Sequence, residues 1–366
     1  MTHNEDSAVN STEIAKLAGV SRSTVSKVLH NYPDIPEETK QRVMRVIQEH
    51  GYRPNGLVQA LQDLSPKVMA IYFYDRWDKI SNNSDISYYN LAMFNAIARE
   101  GKRRGYTIIY EPLFGNETEE TIVTNINAAF DQHRISTAVF FGLDVNCHFV
   151  PKLANAGRHI IVMDKEEPTD NGVRCLFSND YQSIQRACEH LYDNGFTRIM
   201  HIAGDELKLS GRERVRGYKD AIKKLQRAGK VDYEPLIIGG AYSLEAGYQA
   251  GLTFIKEKLY ERYDGICCGC DMTVIGFLKC LHERGPELID QLGLIGFDNE
   301  YVDKYVSPSV STMTANYRNF AHIIFDLEQN YDEFKGGMKM TIDHELIVRD
   351  SSLPLKERME HKHQAL

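Results

Sequence analysis

Two groups of residues stand out for the chemistry their types and spacing allow. The run from Arg22 to Leu29 places Val25, Val28 and Leu29 on one side of a short helix and leaves Arg22, Ser23, Ser26 and Lys27 on the other. A short helix whose apolar side docks on its neighbour keeps its polar side free for a DNA major groove. Arginine, and less often lysine, pairs with guanine O6 and N7, while hydroxyls and backbone amides hold phosphate. The second group, Cys267-x-x-Cys270, has the spacing of a redox or zinc pair. A zinc site normally needs four ligands and no second pair lies nearby, so a buried strand end explains these cysteines better. His361 and His363 sit in a short polar tail where no metal site is expected. The chain contains no G-x-x-x-x-G-K-[ST] phosphate loop and no G-x-S-x-G nucleophile elbow. Its acids form no pair assignable to acid–base catalysis, so neither an enzyme activity nor a cofactor is expected.

The elements that position the polar helix face read directly from the flanking sequence. A first helix starts near a Ser11 or Thr12 cap and carries Ile14, Leu17 and Ala18 on one face. Ala18 to Ser21 form a tight turn, in which Gly19 suits a positive φ, Val20 tucks into the core and Ser21 caps the next helix. A third helix begins at Pro36, with Glu37 and Glu38 at the positive end of its dipole, a stripe of Val43, Val46 and Ile47, and Gly51 to close it. Asn55 to Leu64 is weakly helical and not expected to be stable alone, because Gly56 and Val58 are poor helix formers.

Composition is that of a globular protein: 366 residues, 42% hydrophobic and 26% charged. That length suits two or three compact units. No window approaches the roughly 18 to 20 unbroken apolar residues of a membrane span. The polar N-terminus lacks the regions of a signal peptide, which implies a cytoplasmic protein. Seven cysteines, an odd number in apolar stretches, fit reduced core thiols. The net charge is −8, yet between Ser11 and Gln62 seven basic residues face five acids. The positive part of the chain is therefore the part that carries the polar helix.

The segment STEIAKLAGVSRSTVSKVLHNYPDIPEETKQRVMRVIQEHGYRPN resembles the headpiece of the lac repressor and galactose repressor family of bacterial transcription regulators. The resemblance is carried by A-G-V-S-x-x-T-V-S-[RK], by the E-E-T-x-x-R-V helix start and by the G-Y-x-P-N exit. It implies base reading by Arg22, Ser23 and Lys27. It implies phosphate contacts or helix support from Ser21, Thr24, Ser26, His30 and Tyr52, with Asn55 at the exit in the same DNA-binding set. In the family the segment after the exit folds into a hinge helix on operator DNA, and a leucine from each subunit wedges into the minor groove. Leu61 falls on that position, while Val58 departs from the family's usual alanine.

From Lys67 onward β-rich apolar runs alternate with amphipathic helices. The strand-like runs include Val68–Tyr74, Tyr106–Tyr110, Thr137–Phe141, His159–Met163, Arg198–Ile202, Leu236–Ile238, Gly265–Cys268 and Leu292–Ile295. This alternation predicts an α/β core of two doubly wound parallel-sheet subdomains, with ligand binding in the cleft beyond the strand ends. The expected boundaries are a headpiece over 1–54, a hinge over 55–66, a core over 67–350 and a polar tail over 351–366. Within the core, the first subdomain is expected over 67–174 and 314–334, and the second over 175–309 and 338–350.

The resemblance continues through HLYDNGFTRIMHIAGD, RERVRGYKDAI and LIGFDNE, which look like the family's effector-binding core, itself similar to periplasmic sugar-binding proteins. It implies that Arg214 forks onto ligand oxygens, that Asp298 accepts hydroxyl hydrogen bonds, and that Asp164, Ser210 and Tyr242 line the pocket. Such residue types suit a polyhydroxylated ligand. Cys270 and Asp271 are also placed among the effector-binding residues, at a strand end where the family commonly has Asn-Asp, so one expected amide is missing. The first loop, YDRWDKISNNSDISYYN, looks longer than usual and holds the only tryptophan; Asp75 is placed among the effector-binding residues, and Trp77, Tyr88 or Tyr89 is expected to be the stacking wall. The reading is a homodimeric repressor of a near-palindromic operator, controlled by a small-molecule effector for which sugar, sugar phosphate and nucleobase are open, in that order. The rivals are a sugar-binding or enzymatic domain whose headpiece no longer binds DNA, and a regulator governed by a protein partner. The tail lacks a sustained leucine heptad, so no tail-driven tetramer is expected.

Overall fold

The protein is represented by a computed structural model that describes residues 11–29, 35–50, 67–75, 88–168, 172–331, 337–354 and 356–358. The chain separates into two compact units, Met1–Pro66 and Lys67–Leu366.

In the smaller unit, helices α1 (Ser11–Leu17), α2 (Arg22–Leu29) and α3 (Glu37–Glu49) enclose a core of Ile14, Ala15, Ala18, Val25, Val28, Val43 and Ile47. The turn between α1 and α2 forms as its residues dictate. Gly19 adopts φ +65°, and the Ser21 hydroxyl accepts the Thr24 amide at 3.1 Å, capping α2. Leu17 departs from expectation. It is 54% exposed, because Ile14, Ala15 and Ala18 already fill the face that α1 turns to its neighbours. Gly51 and the hinge positions lie outside the described residues.

The larger unit holds two lobes, each built on a six-stranded sheet. The first sheet uses β1 (Val68–Asp75), β2 (Thr107–Phe114), β3 (Thr137–Phe141), β4 (Ile160–Met163), β5 (Arg174–Ser178) and β11 (Met338–Ile342). Its order is β11-β5-β4-β3-β1-β2, and every pairing is parallel. The second uses β6 (Ile199–Ala203), β7 (Ile237–Gly239), β8 (Gly265–Cys268), β9 (Gly293–Phe297), β10 (Ser311–Thr314) and β12 (Glu345–Ile347). Its order is β12-β10-β9-β8-β6-β7, with only β12 antiparallel. Helices cover both faces of each sheet, which is why strands such as β3, β4, β6 and β8 are buried along their whole length.

Helices α4 (Tyr88–Arg104), α5 (Glu119–Asp131), α6 (Val150–Asn155) and α11 (Tyr317–Gln329) belong to the first lobe. Helices α7 (Asp180–Asp193), α8 (Leu209–Arg227), α9 (Leu244–Lys256) and α10 (Asp271–Arg284) belong to the second. Among the described residues no helix is long and apolar enough to cross a membrane.

Two expected boundaries are corrected. The chain leaves the first lobe after Ser178, not at Cys175. Strand β5 hydrogen-bonds to β4 on one side and β11 on the other, so Arg174–Ser178 and Met338–Ile342 are interior to the first sheet. The second lobe regains the chain only at β12. The segment after residue 350 is also not simply a polar tail. Ser351 and Ser352 are wholly buried, and the Ser351 hydroxyl donates to the Leu294 carbonyl while accepting the Ser311 amide. Arg358, 3% exposed, donates to the carbonyls of Leu353, Leu292 and Ser351. Carbonyls at the amino end of β9, an interior strand of the second sheet, accept from these donors, which a count of polar residues does not anticipate.

Candidate functional site

Arg22, Ser23 and Lys27 are exposed on α2, as are Ser21 at its cap and, in part, Thr24 and Ser26. The Ser21 hydroxyl bonds those of Ser23 (2.7 Å) and Thr24 (2.8 Å), and Arg22 Nε donates to Ser11 Oγ at 3.1 Å. The headpiece core thus holds one face of α2, and a guanidinium, an ammonium and hydroxyls project from the other. His30, Tyr52, Asn55 and Leu61 lie outside the described residues.

In the larger unit the carboxyl ends of both sheets face one cleft. Strand β4 ends at Asp164, whose φ of +48° turns its carboxylate back onto the end of β5. There it accepts the Ser178 amide at 2.7 Å and the Ser178 hydroxyl at 3.3 Å. Strand β9 ends at Asp298, held at φ +105°. Its amide donates to the Met313 carbonyl (2.9 Å) and its carbonyl accepts the Tyr317 hydroxyl (2.5 Å). This strained backbone turns the Asp298 side chain out of the sheet, a conformation a non-glycine residue holds only when its surroundings enforce it.

Arg214, two turns into α8 and 6% exposed, lies flat on the Phe297 ring, 3.9 Å from its centroid. Its Nε donates to Asp180 Oδ1 at 2.7 Å, its Nη2 is ion-paired with the same oxygen at 2.7 Å, and Nη1 donates to the Gly269 carbonyl. The Ser210 and Tyr242 hydroxyls meet at 3.0 Å, and a Cβ at Gly204 would collide with the Tyr242 ring. Tyr89 packs edge-on against Tyr317.

The cleft is electrically crowded. Burial, then the charge of Asp180, pushes the Asp164 carboxyl up to about 7. Burial pushes Asp298 up to about 6, with Arg214 working the other way. Tyr89 is raised by burial and by Asp164, Asp298 and Asp180, so the three carboxylates surround one phenol. Burial alone would weaken Arg214's hold on its proton, but Asp180, Tyr242 and Asp298 more than offset it.

The sequence-predicted set therefore divides. Asp164, Ser210, Arg214, Tyr242, Asp298 and the stacking candidate Tyr89 come together in one place. The Asp75 and Tyr88 side chains and all of Trp77 lie outside the described residues. Asp271 is corrected as a ligand contact. It is wholly buried, and its Oδ2 accepts the Glu300 amide and the Thr312 hydroxyl, each at 3.0 Å. It ties α10 to β10 and does not face the cleft. Cys270 lies in the wall behind Asp298 and Tyr242; its Sγ sits 3.2 Å from the Thr273 hydroxyl, and burial raises its thiol to about 12. All seven cysteines are buried free thiols. Among the described residues no group of three or more His, Cys, Asp or Glu is placed to hold a metal ion.

Sequence reasoning missed Asp180, Phe297 and Tyr317. Asp180 looks like an ordinary first-turn acid after the Asn179 cap, and only the packing of α7 against α8 brings it to Arg214. Also missed is a bridge between the lobes. Val145 N donates to Leu207 O at 2.8 Å, and Lys208 Nζ lies 2.7 Å from Asp144 Oδ1.

Asp164 yields a pH prediction. A carboxyl raised from 3.8 to about 7 binds its proton more tightly in the fold than in the unfolded chain. Stability is therefore lost as pH rises through about 4 to 7, where the folded carboxylate must ionise. Asp164→Asn removes that cost. Its melting temperature should exceed the parent's at pH 8 by about 2 °C or more, the worth of roughly 1 kcal/mol in a domain of this size. The gap should narrow by pH 5 and close below about pH 4. Calorimetry at the two pH values checks it, and a variant less stable by the same amount at both would show that the Asp164 charge is stabilising.

With both geometries in hand, comparison with known proteins decides their lineage. Residues 12–55 match the model for bacterial regulatory proteins of the lacI family, and residues 188–352 match the periplasmic binding protein-like domain. The chain resembles the lacI family of bacterial regulatory proteins, from its headpiece through its larger unit. It is a DNA-binding transcriptional regulator. Among its relatives, the HTH-type transcriptional regulator AscG of Escherichia coli (strain K12) is 26% identical over 302 residues, 82% of this chain and 85% of that protein. The HTH-type transcriptional regulator DegA of Bacillus subtilis (strain 168) is 25% identical over 353 residues, covering 94% and 98%. In fold, the lac repressor dimer bound to operator and the anti-inducer ONPF is similar at a TM-score of 0.77 and 18% identity, covering 95% of this chain and 100% of that one. A complex of the transcriptional regulator CelR with cellobiose aligns at a TM-score of 0.64 and 20% identity, covering 94% and 99%.

Proposed function

We propose that this lacI-like chain is a homodimeric repressor whose operator affinity is set by a hydroxyl-rich, sugar-like effector bound between the lobes. The observation that carries the reading is the meeting of Arg214 and Asp298, with Asp164, Ser210 and Tyr242, at the carboxyl ends of two parallel sheets. Open parallel sheets bind ligands at such places. A carboxylate accepts two hydroxyl hydrogen bonds and a guanidinium donates several, which together orient a polyol. The lac repressor and CelR structures, seen with ONPF and cellobiose, support a sugar-type ligand. Each headpiece reads one half-site through Arg22, Ser23 and Lys27, and the two-fold axis of the dimer matches that of the operator. The effector acts through its different affinity for the two lobe arrangements.

The test is a thermal-shift panel of neutral mono- and disaccharides on the full chain. One sugar class should raise the melting temperature by mass action, and Arg214→Ala and Asp298→Ala should each abolish the response. A stabilising sugar that still acts on both variants would place its site elsewhere.

A further inference from the structure

The side chains that meet in the cleft carry an unequal charge. Among the described residues, Asp164, Asp180 and Asp298 face one cation, Arg214. Lys208, at the edge of the cleft, is committed to Asp144. Arg214 is itself already bound. The Nε–Nη2 edge of a guanidinium is the edge that grips an oxyanion with two parallel hydrogen bonds. Here both of those nitrogens lie 2.7 Å from a single oxygen of Asp180, Nε donating to it and Nη2 ion-paired with it, and Nη1 donates to the Gly269 carbonyl. Asp180 is 3% exposed and Arg214 6% exposed, so water screens the pair little. What Arg214 can still offer is one N–H on each terminal nitrogen, enough for hydroxyl oxygens but without a net charge behind them.

We propose that Asp180 is a specificity-determining residue of this cleft: by occupying the oxyanion-binding edge of Arg214 it bars anionic ligands and restricts the effector to uncharged, hydroxyl-rich molecules. This rests on the reading that the effector binds here. It narrows that reading, because sugar phosphates and sugar acids offer the same hydroxyls as neutral sugars and are rejected only by charge. Asp298 adds to the exclusion, since a phosphate brought beside it meets a carboxylate and, among the described residues, no cation but Arg214. Asp180 acts on the ligand through Arg214, so it is a positioning residue and does not itself need to touch the effector.

The experiment uses the full chain with inorganic phosphate and glucose 6-phosphate as probes, read by thermal shift and calorimetric titration. The parent should bind neither at millimolar concentration. Asp180→Asn leaves a buried guanidinium without its counterion, so the free variant should melt lower and be restored by phosphate, which it should bind at least about tenfold more tightly than the parent does. Asp180→Asn combined with Arg214→Met should lose that gain, and Asp180→Glu, which keeps the charge, should never acquire it. A folded Asp180→Asn that gains no phosphate binding overturns the proposal. So does a parent protein that binds either anion in a manner lost on Arg214→Met, a result that decides the matter even if Asp180→Asn does not fold. Failure of the cleft reading looks different: a neutral sugar would stabilise Arg214→Ala and Asp298→Ala as well as the parent, while the phosphate results stood unchanged.

Discussion

Replacing Arg22 and Lys27 together by alanine should abolish sequence-selective DNA binding while leaving the headpiece folded. Both side chains are exposed on α2, and the headpiece core of Ile14, Ala15, Ala18, Val25, Val28, Val43 and Ile47 contains neither. The Arg22 hydrogen bond to Ser11 lies at the surface, where its loss has little effect on stability. A well-placed bidentate contact to a base discriminates by about 1–3 kcal/mol. Two such losses on each of two half-sites amount to a fall of at least about 30-fold, even if only half the contacts are of that quality. The measurement is titration of a duplex selected from a random pool with the parent protein, repeated at several salt concentrations. Loss of preference for the selected sequence at an almost unchanged salt slope marks base readers. A uniform loss on all sequences, with the slope reduced by about one for each lysine or arginine removed, marks phosphate contacts. Unchanged selectivity would mean that another face of the headpiece reads the DNA.

Gly276→Val should be the most damaging single change in the larger unit. Helices α9 and α10 approach each other through reciprocal glycines. A Cβ at Gly276 would collide with the Leu244 carbonyl oxygen, and one at Gly247 with the Thr273 carbonyl oxygen. One at Gly251 would come within 2.7 Å of Cys280 Cβ. The obstacles at 276 and 247 are backbone, which cannot rotate away as a flexible side chain can, so the helices must separate. Overpacking of this kind typically costs about 1–3 kcal/mol and more where nothing can yield. A value near 3 kcal/mol corresponds to a fall of about 6 °C or more in melting temperature. The damage should reach the effector site as well, because α10 begins at Asp271, whose carboxylate fixes Thr312 and the Glu300 amide beside Asp298. Gly105→Asn is the control. A Cβ there meets nothing within 4 Å at a φ of +80°, so it should cost about 1 kcal/mol at most. Equal losses at both positions would show that the glycines are needed for backbone freedom and not for close helix packing.

The sequence by itself determined whatever depends on local spacing. Apolar periodicity placed all three headpiece helices, and Gly19 and Ser21 placed the turn and cap between them, because a positive φ and an amide-accepting hydroxyl are properties of single residues. The alternation of strand-like runs with helices determined the parallel α/β lobes, since each run was long and apolar enough to require cover on both faces. Arg214 and Asp298 could be proposed from the sequence, through motifs that hold them a fixed few positions from a helix start or strand end, and Asp164, Ser210 and Tyr242 from the wider family resemblance. The lobe assignment of β5 and β11 was decided only by the tertiary structure. Which sheet a strand joins depends on hydrogen bonds to β4, nearly as local as a motif, and also on partners more than 150 residues away along the chain. The tertiary structure also withdrew Asp271 from the cleft, by giving its carboxylate donors from Thr312 and Glu300. It alone joined Asp180 to Arg214 across 34 positions. The physical reason is common to all three. Burial and pairing are properties of a place in space, and a side chain's type states what it can bond to but not which group the fold will bring within reach.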